Sequence, residues 1–416
     1  MRLAERMDHI HSFRVMDIVD AAQRLEAEGH RVIHMEVGEP REPTALPIRE
    51  AGAAALARGE TAYTSALGLP ALRRAIATYY GAYHNVDLDP ERVVVTAGAT
   101  GALMLLSALL LNPQDEVLLG DPAYPCNRYF PRLFGAKASL MPLDPADGFA
   151  LRGRHVSEAW SEKTCGVVLA SPANPTGAVS AHSDLEAISA CAQARGGWAL
   201  FDEIYQGLTY PAGLEDCPSL APHGQQAPGR VGTVLALAGG ADHEFVVNSF
   251  SKYFGMTGWR IGWLVAPRAT IPALERLAQN AYIAPSTVGQ HAALAALQAD
   301  LFPLHEARRL AYFRSRNRLV NGLRALGFTV PVVPEGAFYV YAKLPPGQGT
   351  SETFCRSLLA KAAVAVTPGT DFGFEGAAEH VRFSYTAPFE DLEEALRRLE
   401  AFLGQGGVNG SGLLGA

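Results

Sequence analysis

A chain of 416 residues that is 48% hydrophobic and 19% charged has the composition of a folded enzyme and is too long for one simple core, so two units are expected. A net charge of -7 with no basic block argues against a nucleic-acid partner. Five scattered cysteines, Cys126, Cys165, Cys191, Cys217 and Cys355, offer neither zinc-ligand nor disulfide spacing and fit a reducing, cytoplasmic setting without a metal. Charges break the N-terminal stretch MRLAERMDHIHSF, and no run of about 18 apolar residues predicts a membrane span.

In chain order, residues 1–45 read as an arm with a helix from Val15 to Gly29, where the glycine is a plausible C-cap. In MEVGEP, Gly38 marks either an ordinary turn or a close backbone approach. Helices are expected at Ile48–Ala57 and from Pro70, with Tyr63 in the loop between them. Strand-like runs at Arg92–Thr96, Glu116–Leu119, Lys137–Met141, Gly166–Ala170, Trp198–Phe201, Phe245–Asn248 and Ile261–Val265 follow. They are interleaved with helical segments at Thr100–Leu111 and Ser180–Ala194. Valine- and leucine-rich strands alternating with helices predict an α/β fold with a mostly parallel three-layer sheet. Tyr210 to about Gly240 reads as a surface excursion. Helices at Pro272–Asn280 and Ser286–Ala299 and a long one at about Leu304–Leu326 lead into a smaller α+β unit. That unit has strands at Thr329–Val333, Ala337–Lys343, Ala363–Thr367 and His380–Tyr385 and helices near Glu352–Lys361 and Glu390–Leu403. The resulting division is an arm over 1–45 that joins the smaller unit, a large unit over 46–285, a helix and C-terminal unit over 286–405, and a flexible Gly-rich tail over 406–416.

Ligands of such sheets bind at the carboxyl ends of the strands, and the polar motifs cluster there. The run FVVNSFSKYFGMTGWRIGWLV places Lys252 between two buried strands, where burial lowers an amine's pKa and makes it nucleophilic. AGAT (Ala97–Thr100) opens a helix with small residues whose N–H groups can face an anion, although small residues also mark plain tight turns. Ser249 and Arg260 are further donors for the same phosphate. Asp202 in FDEIY, at the end of a strand, is either a helix N-cap or the partner of a protonated ring nitrogen. In SPANPTG, Asn174 suits a ring oxygen or a structural turn, and in DPAYP Tyr124 suits stacking on a flat cofactor or the core. Neither a dinucleotide glycine fingerprint nor a P-loop is present. Lysine, small-phosphate cradle, ring-nitrogen carboxylate and stacking aromatic together describe pyridoxal 5'-phosphate.

SFSKYFGMTGWRIGW resembles the lysine motif of class I/II aminotransferases of the fold-type I pyridoxal-phosphate family. AGAT, DPAYP, SPANPTG and FDEIY resemble that family's other motifs in order, across nearly the whole chain. The resemblance implies that Lys252 forms the internal aldimine, that Asp202 pairs with the pyridine nitrogen, and that Tyr205 and Asn174 bind the ring hydroxyl while Tyr124 stacks. It implies a phosphate site from Gly98, Ala99, Thr100, Ser249 and Arg260, with Ser251 subordinate, completed by Tyr63 reaching across a homodimer. Arg382 in VRFSY would bind the substrate carboxylate, with Gly38 and Asn174 near the substrate. The implied reaction moves an amino group from an L-amino acid to a 2-oxo acid; a carbon–sulfur β-lyase, a decarboxylating or condensing enzyme and a cofactor-sensing regulator are the alternatives. Acidic-substrate relatives carry a lysine where Thr100 stands, which weakens an aspartate preference. Phe13, Tyr63, Tyr282 and Phe338 are candidates to border an apolar side-chain pocket, with alanine, aromatic, methionine and branched-chain donors all open.

Overall fold

The computed structural model describes residues 1–211, 213, 232–237 and 242–410. The arm carries helix α1 (Arg14–Ala27) and the short strand β1 (Ile33–His34), followed by α2 (Leu46–Ala57) and α3 (Pro70–His84). Strands and helices then alternate: β2 (Val93–Thr96), α4 (Gly98–Leu110), β3 (Glu116–Asp121), α5 (Phe130–Leu133), β4 (Lys137–Pro142), α6 (Gly153–Ala159), β5 (Thr164–Ala170), α7 (His182–Ala194), β6 (Trp198–Asp202), β7 (Glu244–Ser249) and β8 (Gly262–Val265). After α8 (Ile271–Ala281), α9 (Thr287–Ala296) and the long α10 (Phe302–Ala325) come β9 (Tyr339–Lys343), α11 (Ser351–Ala362), β10 (Val364–Ala365), β11 (Thr367–Pro368), β12 (His380–Ser384) and α12 (Phe389–Gly404).

The main sheet has the order β2-β8-β7-β6-β5-β3-β4. All of its pairings are parallel except those of β8, which runs antiparallel to both β2 and β7. β2 and β7 are buried along their whole length, as strands covered on both faces must be. Each valine withdrawn from water there contributes about 1.5–3 kcal/mol. This α/β arrangement is the one the alternating pattern predicts. It brings the carboxyl ends of β5, β6 and β7 to one edge, and β8 returns from the same edge.

A second, antiparallel sheet has the order β11-β12-β9, and β1 pairs in parallel with β10. The arm is therefore hydrogen-bonded to the C-terminal part of the chain, with Ile33 opposite Val364. Its helix runs from Arg14, buries Ile18 and Ala22, and gives way to Gly29 at φ +93°.

Three expectations change. Thr329–Val333 is not a strand; only a bridge between Thr329 and Lys343 forms there. The single strand expected at Ala363–Thr367 divides into β10 and β11, which serve different sheets. The start of the Gly-rich tail is held, since Lys361 Nζ donates to the carbonyls of Val408 (3.0 Å) and Gly410 (2.6 Å). Most of the excursion after Tyr210 and the tail beyond 410 lie outside the described residues. Among the described residues no helix is long and apolar enough to cross a membrane, and no acidic, histidine and cysteine cluster could hold a metal ion.

Candidate active site

A cavity of about 280 Å³ opens at that edge of the sheet. Of the residues singled out from sequence, Gly38, Ala99, Thr100, Tyr124, Asn174, Asp202, Tyr205, Ser251, Lys252, Arg260 and Arg382 line it. They come from the arm, the start of α4, the ends of β3, β5 and β6, the β7–β8 connection and β12, so only the tertiary fold brings them together.

Lys252 follows β7 and donates from Nζ to the Gly38 carbonyl at 2.6 Å. Burial pushes its pKa down to about 8; Arg382 and Arg260 add to the shift, while Glu39 and Asp202 oppose it. Its nucleophilic form therefore appears well below the ordinary lysine value of about 10.4. In the cofactor-free protein, reaction of Lys252 with an aldehyde is expected to accelerate with pH and level off above about 8. Mass-spectrometric counting of borohydride-trapped label across a pH series checks this. A rise that continues toward the ordinary lysine value would remove the burial argument.

Gly38 approaches Tyr339 so closely that a Cβ would lie 1.9 Å from its hydroxyl, which decides for the close-approach reading of MEVGEP. That hydroxyl is 2.7 Å from Tyr205 Oη. Burial, and after it the neighbouring Tyr339, raises the Tyr205 pKa well above the ordinary range, so it is a neutral donor. Asp202 ends β6, and its Oδ1 accepts the Ile204 N–H at 3.1 Å. The residues after it form turns rather than a helix, so it caps no helix. Burial lifts its pKa to about 6, against the pull of the Ile204 N–H and Lys252.

Opposite, α4 begins at Gly98 with φ +71°, and a Cβ there would lie 2.6 Å from Arg260 Nη2. Gly262 on β8 passes close behind, since its own Cβ would meet the Gly98 carbonyl carbon at 2.7 Å. Arg260 takes a left-handed conformation (φ 55°), an arrangement that costs a non-glycine residue about 1–2 kcal/mol. It donates to the Thr257 carbonyl at 3.0 Å and reaches Ser251 Oγ at 3.5 Å. Free N–H groups at a helix start beside a guanidinium form an anion cradle.

The two serines sit side by side, with Ser249 Oγ 2.9 Å from Ser251 Oγ. Ser249 is buried, does not line the cavity, and donates to the Ile261 carbonyl at 3.2 Å. Its oxygen receives the Ser251 N–H at 3.0 Å, so it places Ser251, which does line the cavity. Arg382 donates from Nη1 to Asn174 Oδ1 at 3.0 Å, and its guanidinium lies 4.3 Å and 4.5 Å from the Tyr339 and Phe372 ring centroids. Its buried Nε has no hydrogen-bond partner among the described residues, a donor that a ligand carboxylate would satisfy.

Tyr63 is 80% exposed and, like Tyr282, lies outside the lining; Phe13 is within it, and the Phe338 ring centroid is 5.8 Å from Lys252 Nζ. Sequence reasoning missed Tyr339, Thr257, Asp371, Phe372 and the α1 side chains that also line the cavity. Asp371 stands in the Gly- and Phe-containing segment GTDFGF that follows β11, where nothing local distinguishes it from an ordinary turn acid.

The sequence matches the family "Aminotransferase class I and II" over residues 30–399. The chain belongs to that family. It is 35% identical over 392 residues to a valine–pyruvate aminotransferase of Mycobacterium tuberculosis, covering 94% of this chain and 96% of that one. It is 34% identical to an aspartate/prephenate aminotransferase of Thermus thermophilus, covering 97% and 99%. A crystal structure of an aminotransferase from Mycobacterium tuberculosis superposes with a TM-score of 0.88 at 34% identity, covering 97% of this chain and 99% of that one. The protein is a fold-type I, pyridoxal 5'-phosphate-dependent aminotransferase acting on amino acids and 2-oxo acids. The residues present fit that cofactor. The cradle at Gly98 and Arg260 matches a phosphate, the buried Asp202 carboxylate needs a cationic partner, and the Lys252 amine is available as a nucleophile.

Proposed function

We propose that this aminotransferase uses Lys252 both to anchor the cofactor and to carry the proton taken from the amino donor. The observation that carries the reading is the lining of one cavity by Lys252, Asp202 and Arg382. When bound, pyridoxal 5'-phosphate supplies an aldehyde for the amino group and a protonated ring that withdraws electrons from the reacting carbon. Asp202 would hold the ring proton, Asn174 and Tyr205 would donate to the ring oxygen, and Tyr124 would stack on the ring. Ala99, Thr100, Ser251 and Arg260 hold the phosphate. Arg382 would bind the α-carboxylate and so orient the Cα–H bond toward Lys252 Nζ, which would take that proton and hold it.

The large unit over 46–285 carries the phosphate and ring contacts. The arm and the unit over 286–405 carry Gly38 and Arg382, so the substrate binds between them. The exposure of Tyr63 suits a residue that completes the phosphate site of a second copy, and we read the working form as a homodimer. The free cysteines Cys126, Cys165, Cys191 and Cys355 accord with a cytoplasmic setting.

The names of the relatives favour amino-group transfer over β-elimination. With a ¹⁵N-labelled amino donor and an unlabelled 2-oxo acid, the label is expected in the newly formed amino acid. Acceptor-independent release of ammonia and pyruvate from a cysteine conjugate, with no labelled product, would instead establish the lyase.

A further inference from the structure

We infer that the preferred amino donor is a neutral L-amino acid with an apolar side chain, received by a wall that Asp371 fixes at the start of α1. The inference rests on the reading of Lys252 and Arg382 given above. Three cations line the cavity among the described residues, Lys252, Arg260 and Arg382. In the reading above one serves the reacting carbon, one the phosphate and one the α-carboxylate, which leaves no lining cation of this chain for a second carboxylate. Two further arginines near this wall are engaged: Arg14 with the Glu352 carboxylate and Arg128 with the Asp371 carbonyl.

What remains of the lining on the arm side is apolar: Phe13, Val15, Met16 and Val19, with Val37. Beside it stand the acidic residues Glu36 and Asp371. A dicarboxylic donor would bring its second charge toward these acids without a counter-ion, whereas an aliphatic or aromatic side chain would lose only water.

Asp371 is the residue that holds this wall in place. Its carboxylate accepts the N–H groups of Arg14 (3.0 Å) and Val15 (3.4 Å), the first two residues of α1. The next residue, Phe372, packs against the Arg382 guanidinium. One short segment thus sets both the wall for the side chain and the group that receives the α-carboxylate. Asp371 is accordingly a positioning residue.

Borohydride reduction of the holoenzyme, with mass mapping of the label, comes first. An unlabelled Lys252 overturns the reading underneath. With the label in place, calorimetric titration of the unreduced holoenzyme compares two unreactive carboxylates, 4-methylpentanoate and succinate. The branched monocarboxylate is expected to bind at least about tenfold more tightly, the scale on which apolar pockets discriminate. Single-turnover reaction should favour leucine over aspartate in the same sense. Equal or tighter binding of succinate overturns the donor class and leaves the Lys252 chemistry standing. Met16 is 48% exposed, so Met16→Asp does not disturb the core. It is expected to reduce the 4-methylpentanoate-to-succinate preference about tenfold, and an unchanged preference removes α1 from the pocket. Asp371→Ala should weaken 4-methylpentanoate binding about tenfold, and Asp371→Asn, which keeps an acceptor oxygen for the Arg14 N–H, should restore most of it. Equal affinity in the two variants overturns the positioning role.

Discussion

Lys252→Ala is expected to lower turnover by about 10⁴-fold or more, because one substitution removes both the group that bonds the cofactor and the base that moves the proton. The fold should survive. Among the described residues the Lys252 side chain makes a single hydrogen bond, to the Gly38 carbonyl, and burial disfavours its charged form. Deleting a group held at a depressed pKa removes a desolvation penalty as well as a contact, so the melting temperature of the cofactor-free variant should fall little or rise. Single-turnover kinetics beside a thermal scan separates the two effects. Lost turnover together with collapsed stability would mean that the lysine was structural. Turnover like that of the wild type would end its assignment altogether.

The sheet was legible because its signal is local. Arg92–Thr96 and Phe245–Asn248 read as short strands rich in apolar residues, and the structure trims the first to Val93–Thr96 and extends the second to Glu244–Ser249. The chemical motifs were legible for the same reason, each being a short run at the end of a strand. What escaped depends on distant pairing. Residues 363–367 look like one strand, yet Val364 pairs with Ile33 of the arm while Thr367 pairs with Arg382. Nothing local marks the change of partner. Tyr339 was similarly hidden, since the strand AFYVY reads as core, and its role emerges only where its hydroxyl meets Tyr205 and the Gly38 backbone. That Ser251 lines the cavity while Ser249 hydrogen-bonds behind it is a matter of backbone direction after β7 that composition does not encode.

Asp202→Asn should separate stability from function at the other end of the ring. Turnover is expected to fall by about 10²–10⁴-fold, since an amide can no longer keep the ring nitrogen protonated. The cofactor-free protein should move the other way. In it the Asp202 pKa is raised by burial to about 6, above the ordinary value of about 3.9 for an exposed aspartate. Between those values the folded state binds more protons than the unfolded one, so the contribution of Asp202 to stability declines as pH rises through that window and is most unfavourable above it. At neutral pH the penalty is on the order of 3 kcal/mol. Asparagine carries no charge to desolvate and keeps an oxygen for the Ile204 N–H. The cofactor-free variant should therefore be more stable than the parent protein at pH 7, with the difference shrinking toward pH 4. A bound cationic ring reverses the balance, because an opposite charge beside the carboxylate favours its ionised form, and the parent protein should then gain more from cofactor than the variant does. Denaturation at pH 4 and pH 7, with and without cofactor, tests all of this in one experiment. A variant less stable than the parent in the absence of cofactor would show that the carboxylate is there to hold the fold, and that its cost is not being met by the ligand.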